Sequence, residues 1–186
     1  MKKTTISFLM MIGLVMTLTG CQSKNEGAAN EVDAAFPDAV SVLAEAWNQM
    51  PDPFPVVGGN METAVEDAPA SVDLSDTDAL TYTFLVPEDV QKDITDAATL
   101  SHMMNGNTFT AVALHMGSMS CEDAAAKIKD KFLGNQFMCG FPDKIKIVSM
   151  GSYVIYAYGA TDIVDDFMKG YEGLDGASVV ADEIYQ

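Results

Sequence analysis

The apolar positions of this 186-residue chain change period several times, and each change marks an element. Val40, Leu43, Ala44 and Trp47 fall at i, i+3, i+4 and i+7, one stripe of a helix that has Pro37 near its first turn. Pro51, Pro53 and Pro55 end that helix and force an extended segment, which Gly58-Gly59 turns. Residues 60–76 are acidic and weakly patterned and read as loop. Leu80 to Val86 (LTYTFLV) is β-branched and aromatic and predicts a strand, followed by a helical pattern from Pro87 to Met104. After the Asn105-Gly106-Asn107 turn signal, Thr108 to Met116 reads as a strand. Ser120, with Asp123 three residues on, opens a helix CEDAAAKIKDKFLGNQFM whose Ala125, Ile128 and Phe132 point inward. Gly140 and Pro142 stop it. Two strands, Lys144–Met150 and Tyr153–Tyr158, flank Gly151-Ser152, a pair suited to a tight II′ turn. A short helix, Asp162 to Lys169, comes last.

This order predicts an α+β fold: a small antiparallel or mixed sheet of three to four strands, with helices packed mainly on one face. The core domain is expected over residues 36–173, and residues 174–186 as a loosely held acidic tail.

The first 20 residues have a different pattern. Lys2 and Lys3 precede a 13-residue apolar run, Ile6 to Leu18. That is shorter than the roughly 20 residues a membrane span needs, and it fits a secretory signal peptide. Leu18-Thr19-Gly20-Cys21 resembles the lipobox of bacterial lipoproteins. The resemblance implies diacylglyceryl transfer to the Cys21 thiol and cleavage before it, with residues 21–35 as a small, polar tether. The expected location is the extracytoplasmic face of the cell membrane, reached through the lipid on Cys21.

Charge narrows the partners. The chain carries 27 acidic residues against 10 basic ones, all lysine, for a net charge of −17. Loss of the leader would take Lys2 and Lys3 and no acids, bringing the net charge to −19. Such a balance argues against nucleic acid, and it repels anionic headgroups. Five lysines lie between Lys127 and Lys146, a concentration expected on a solvated helix face.

Three short patterns, HMMNGNTF (102–109), NQFMCGFP (135–142) and GSYVIYAYG (151–159), carry a further resemblance. Together with the leader they look like a group of Gram-positive bacterial lipoproteins of unknown function, the domain-of-unknown-function 4358 family. The shared features include a proline-acid turn, here Pro142-Asp143, and a hairpin, here Gly151-Ser152-Tyr153-Val154. The match would cover roughly 38–171 and implies no activity.

The densest group of reactive side chains is His102, Met103, Met104, His115, Met116, Met119 and Cys121. Imidazole, thioether and thiolate would suit Cu(I), but the spacing is irregular and methionine is a routine core filler. Cys121 and Cys139 are separated by 18 residues; on one helix that is about 27 Å, too far for a disulfide, so two unpaired buried cysteines are expected. Cys121 begins a helix with His115 nearby in sequence, the ingredients of a thiol nucleophile, but Glu122 and Asp123 oppose a thiolate. Asp73, Asp76 and Asp78 lack the spacing of a calcium loop and read as solvated turn residues. Of Tyr153, Tyr156 and Tyr158, those on an exposed sheet face would be open to a binding role. No hydrolase, zincin or phosphate-loop motif is present. The sequence therefore points to a lipid-anchored, non-enzymatic module without a cofactor, binding an unidentified protein or small ligand. The alternatives are copper handling through the histidine, methionine and cysteine group, and a thiol enzyme using Cys121.

Overall fold

The computed structural model describes residues 31–138 and 140–185. The expected signal peptide (1–20), Cys21 and Cys139 lie outside that set. The elements are α1 (Ala39–Trp47), β1 (Val56–Gly58), β2 (Val65–Glu66), β3 (Ala70–Ser71), a π-helical turn (Ala79–Thr83), α2 (Glu88–Gln91), β4 (Ile94–His102), β5 (Phe109–Met116), α3 (Cys121–Leu133), β6 (Lys144–Met150), β7 (Tyr153–Gly159), α4 (Thr161–Met168), a 3₁₀ turn (Lys169–Tyr171) and β8 (Ala177–Ile184).

The expectation of a three- to four-stranded sheet is overturned. The sheet has eight strands in the order β2-β1-β4-β5-β7-β6-β8, with β3 also paired to β4, and every pairing is antiparallel. Helices cover both faces. One face, carrying Ala98, Leu100, Phe109, Ala111, Tyr153 and Ile155, packs on α1 and α4. The other, carrying Val112, Leu114, Ile147, Val154, Tyr156 and Tyr158, packs on α3 and on the segment from Leu80 to Val90. This explains why β6 and β7 are buried at every position and read as continuous apolar runs: alternation survives only where one face meets water. All three tyrosines of β7 are buried, so none lies on an exposed sheet face.

Three segments take a different form from the one their sequence predicts. Residues 94–102 form β4, not the second half of a helix. A bulge at Thr95 offsets the strand alternation, so Ile94, Ala97 and Ala98 fall at i, i+3 and i+4 and mimic a helical stripe. Residues 80–86, expected as a strand, begin with the π-helical turn. Residues 177–184, expected as tail, pair along β6 as an edge strand. That pairing places Asp182 2.6 Å from the buried Lys144 ammonium, which Asp165 of α4 approaches to 2.6 Å from the other side. The edge of β8 is blunted by a bulge at Val180 and by Asp182 and Glu183.

The order β5, α3, β6, β7, α4 matches the expected one. Ser120 caps α3 by accepting from the Asp123 N–H at 3.1 Å, and Gly134 ends it, earlier than Met138. Gly151 takes φ +60° in the two-residue β6–β7 turn.

Candidate functional site

At the end of the sheet where β4 reaches His102 and β5 begins, the surface opens into two adjoining cavities of about 590 and 430 Å³. Both are walled by Tyr82, Thr83 and Ser101. Tyr82 stands between them, 72% exposed. A third hollow of about 370 Å³ lies on the far side of the same ring, toward Leu74, Thr81 and Gln91. Met61, 89% exposed, rims the larger cavity, and Met138, 98% exposed, rims the second. Methionine rims adapt to ligands of varied shape.

The wall is an uncommon piece of backbone. The Phe84 N–H donates to the Ala79 carbonyl at 3.0 Å, five residues back, which is the π-helical pattern often found at functional positions. Leu85 follows at φ +61°, a region that costs a branched side chain about 1–2 kcal/mol. Tertiary contacts hold this geometry. The Tyr156 hydroxyl donates to the Phe84 carbonyl at 2.5 Å, and the Tyr158 hydroxyl to the Thr83 carbonyl at 3.1 Å. Gln91 Nε2 donates to Thr81 Oγ1 and to the Val86 carbonyl at 2.8 and 2.9 Å. Burial pushes the Tyr158 phenol up to about 12 and the Tyr156 phenol well above its ordinary value, so both remain protonated donors. Asp76 opens the turn by accepting from the Ala79 N–H at 2.9 Å. Its other oxygen accepts from Asn60 Nδ2 at 2.8 Å, which ties the turn to the loop after β1. Asp73 accepts from the Ser75 N–H at 2.9 Å. The acidic loop is thus a set of backbone caps.

The lining of the larger cavity is mostly apolar, with Asn60, Thr83 and Ser101 among its polar points, whereas the smaller cavity sets His102, Asn107, Thr110, Asn135 and Gln136 beside Phe137, Met138 and Tyr158. Asp76 and Asp78 border the larger cavity, and no lysine lines either cavity. Two cations stand nearby: Lys131 of α3, whose Nζ lies 5.8 Å from the Tyr82 ring centroid, and Lys92, which lines the third hollow. The site is therefore amphipathic: an apolar, aromatic larger cavity with a negative border adjoins a smaller one rich in uncharged polar groups.

The residues singled out in the sequence do not converge. His102 lines the smaller cavity. Its Nδ1 accepts from the N–H groups of Met104 and Asn105 at 3.1 and 3.3 Å, and its ring stacks on Phe54. His115 lies at the other end of the sheet, paired with Asp96, six residues along β4 from His102. At about 3.3 Å per residue the two imidazoles are about 20 Å apart and cannot share an ion. His115 Nδ1 lies 2.6 Å from Thr95 Oγ1, and Nε2 lies 3.8 Å from Asp33. Met116 is core, and Met119 packs against the α3 face of the core. Among the described residues no three His, Cys, Asp or Glu side chains gather as a metal-holding group. Cys121 is half-buried with Sγ 3.6 Å from the Gly151 carbonyl. Desolvation, then Glu122 and Asp33, push its thiol up to about 11.

Tyr82, Thr83, Ser101 and Asn60 were not legible as site residues. The available signal was Tyr82 itself, a large aromatic in a segment read as a strand. No protein-family model, curated protein or solved structure gives a significant match to this chain. The functional reading therefore rests on the geometry of the groove.

Proposed function

We propose that this protein is a lipid-anchored, extracytoplasmic binding module whose ligand is a small, amphipathic, neutral or cationic molecule held in the groove around Tyr82. The observation that carries this reading is the pair of adjoining cavities divided by one exposed aromatic ring on a strained turn that side chains hold in place. Their volumes, about 590 and 430 Å³, lie in the range of small-molecule sites. The negative border and the lack of lining lysines disfavour anionic ligands. The leader pattern and Cys21 support the anchor.

Binding without turnover fits the polar groups of the groove. Ser101 Oγ accepts from Thr110 Oγ1 at 3.1 Å, and the His102 Nδ1 lone pair faces backbone N–H groups, so neither forms a nucleophile–base pair with the other. The other two readings fit less well. Copper handling needs His102 and His115 together, and they sit at opposite ends. A thiol enzyme needs an accessible thiolate, and Cys121 is half-buried with its acidity suppressed.

The test uses the full chain with Cys21→Ser, titrated with a neutral solvatochromic dye and with its sulfonated analogue. Saturable binding of the neutral dye, weakened at least tenfold by Tyr82→Ala, is expected, with the sulfonate binding poorly. Equal binding to both variants, or preference for the sulfonate, would reject the groove as the site.

A further inference from the structure

We infer that residues 32–39 are a fixed strap holding the Tyr82 groove on the side of the domain away from the lipid anchor, so that the groove takes its ligand from the aqueous phase and not from the bilayer. The inference rests on the proposed anchoring at Cys21 and on the groove as the binding site.

The strap is docked by four independent contacts, all at the end of the sheet opposite the groove. Val32 is 5% exposed and sits against two glycines. A Cβ on Gly151 would stand 2.8 Å from the Val32 Cβ, and one on Gly176 would stand 3.0 Å from Val32 Cγ2, so both positions leave room for this one side chain. Asp33 accepts from Ser152 Oγ at 2.8 Å and from the Ser152 N–H at 3.2 Å. The Tyr153 hydroxyl donates to the Phe36 carbonyl at 2.9 Å. Asp96 accepts from the Ala39 N–H at 2.7 Å, joining the start of α1 to β4. A free tether would not bury a valine or satisfy three polar groups of the sheet.

Two internal rulers measure how far this end lies from the groove. Along β4, five residues separate Asp96, which holds the strap, from Ser101, in the groove wall, which is about 17 Å at 3.3 Å per residue. Along α3, Cys121 touches Gly151 beside the strap, while Phe132 packs on Phe137 and Tyr158, which line the smaller cavity. The 13 residues of α3 rise about 20 Å. From Cys21 to Val32 is 11 residues, and to Ala39 it is 18. At no more than about 3.6 Å per residue, docking the strap shortens the leash from about 65 Å to about 40 Å and fixes which end it pulls on.

The experiment uses the full lipidated chain, with Cys121 and Cys139 changed to serine, on phosphatidylcholine vesicles carrying a headgroup quencher. A fluorophore is placed either at Glu122→Cys, at the strap end of α3, or at Met138→Cys, on the groove rim. The expected result is several-fold stronger quenching at position 122 than at 138. In the Val32→Asp, Asp33→Ala variant, which leaves the sheet untouched, that contrast shrinks while the protein stays on the vesicles. Equal quenching at the two positions, or stronger quenching at 138, overturns the inference. So does a contrast that the strap variant leaves unchanged. A chain that never associates with the vesicles overturns the anchor and this inference with it, whereas loss of dye binding alone in the soluble chain overturns only the groove.

Discussion

The two ends of the sheet are built from the same strands and finished in opposite ways. At the strap end, carboxylates absorb the loose backbone donors. Asp93 alone accepts from the N–H groups of Gly117, Ser118 and Met119, at 2.7–3.1 Å, and from the Ser118 hydroxyl at 2.6 Å. Asp33 and Asp96 do the same for the hairpin and for α1. At the groove end, tyrosine hydroxyls hold the carbonyls of an irregular turn, while Tyr82, Met61 and Met138 are left facing water. A finished end spends its polar groups on its own backbone. The groove end uses buried tyrosines to hold a shape and leaves an apolar surface unsatisfied, which is what a binding site requires.

This contrast can be broken at the groove end with the largest effect by Phe132→Ala. Phe132 is fully buried and its ring meets Phe137, Phe141, Tyr158 and Tyr185. A loss of about 3–5 kcal/mol in urea unfolding is expected, together with loss of dye binding. A loss under about 1 kcal/mol would mean that the aromatic cluster does not hold the groove end together. Next comes Tyr156→Phe, which removes one hydroxyl and leaves the buried Phe84 carbonyl without its donor. The expected cost is about 1–3 kcal/mol with weaker dye affinity, because the turn is released while the core volume is kept. Unchanged affinity would show that the π-helical turn does not need this hydrogen bond.

The strap end is expected to respond to pH. The Ser118 hydroxyl, then the Met119 N–H, hold the Asp93 carboxyl below its ordinary value of 3.8. A carboxylate depressed in the folded state adds stability that is present above the unfolded value and is lost as pH falls through the folded one. Asp93→Asn should therefore flatten the decline of the urea midpoint as pH drops below 3.8. An identical acid limb in the two proteins would place that decline elsewhere. The smallest effect on stability is expected for Tyr82→Ala, within about 0.5 kcal/mol of the parent because the ring is exposed. It is also the substitution that should remove ligand binding, so a stability loss well above that figure would make Tyr82 a packing residue and not a site residue.

The central run of the fold was legible wherever local signals agreed. Ser120 opens α3 as its capping pattern predicts, although the helix ends at Gly134 and not at Gly140, and Gly151-Ser152 closes the β6–β7 hairpin because a two-residue turn there needs positive φ. Legibility failed where a partner distant in sequence decides the conformation. LTYTFLV has strand composition, yet Tyr156 and Tyr158, more than 70 residues on, capture its carbonyls and hold a helical turn. The acidic stretch after Gly176 has little reason to be ordered alone. It becomes a strand because β6 offers a free edge and buried Lys144 and Lys146 need carboxylates.

By itself, then, the sequence determined an acidic composition and the order β5–α3–β6–β7–α4, because these depend on composition and on contacts a few residues apart. The tertiary structure alone decided the sheet's eight strands, the covering of both faces, the separation of His102 from His115, and the groove. Each depends on pairings between residues tens of positions apart, and no local pattern records which backbone will find which partner.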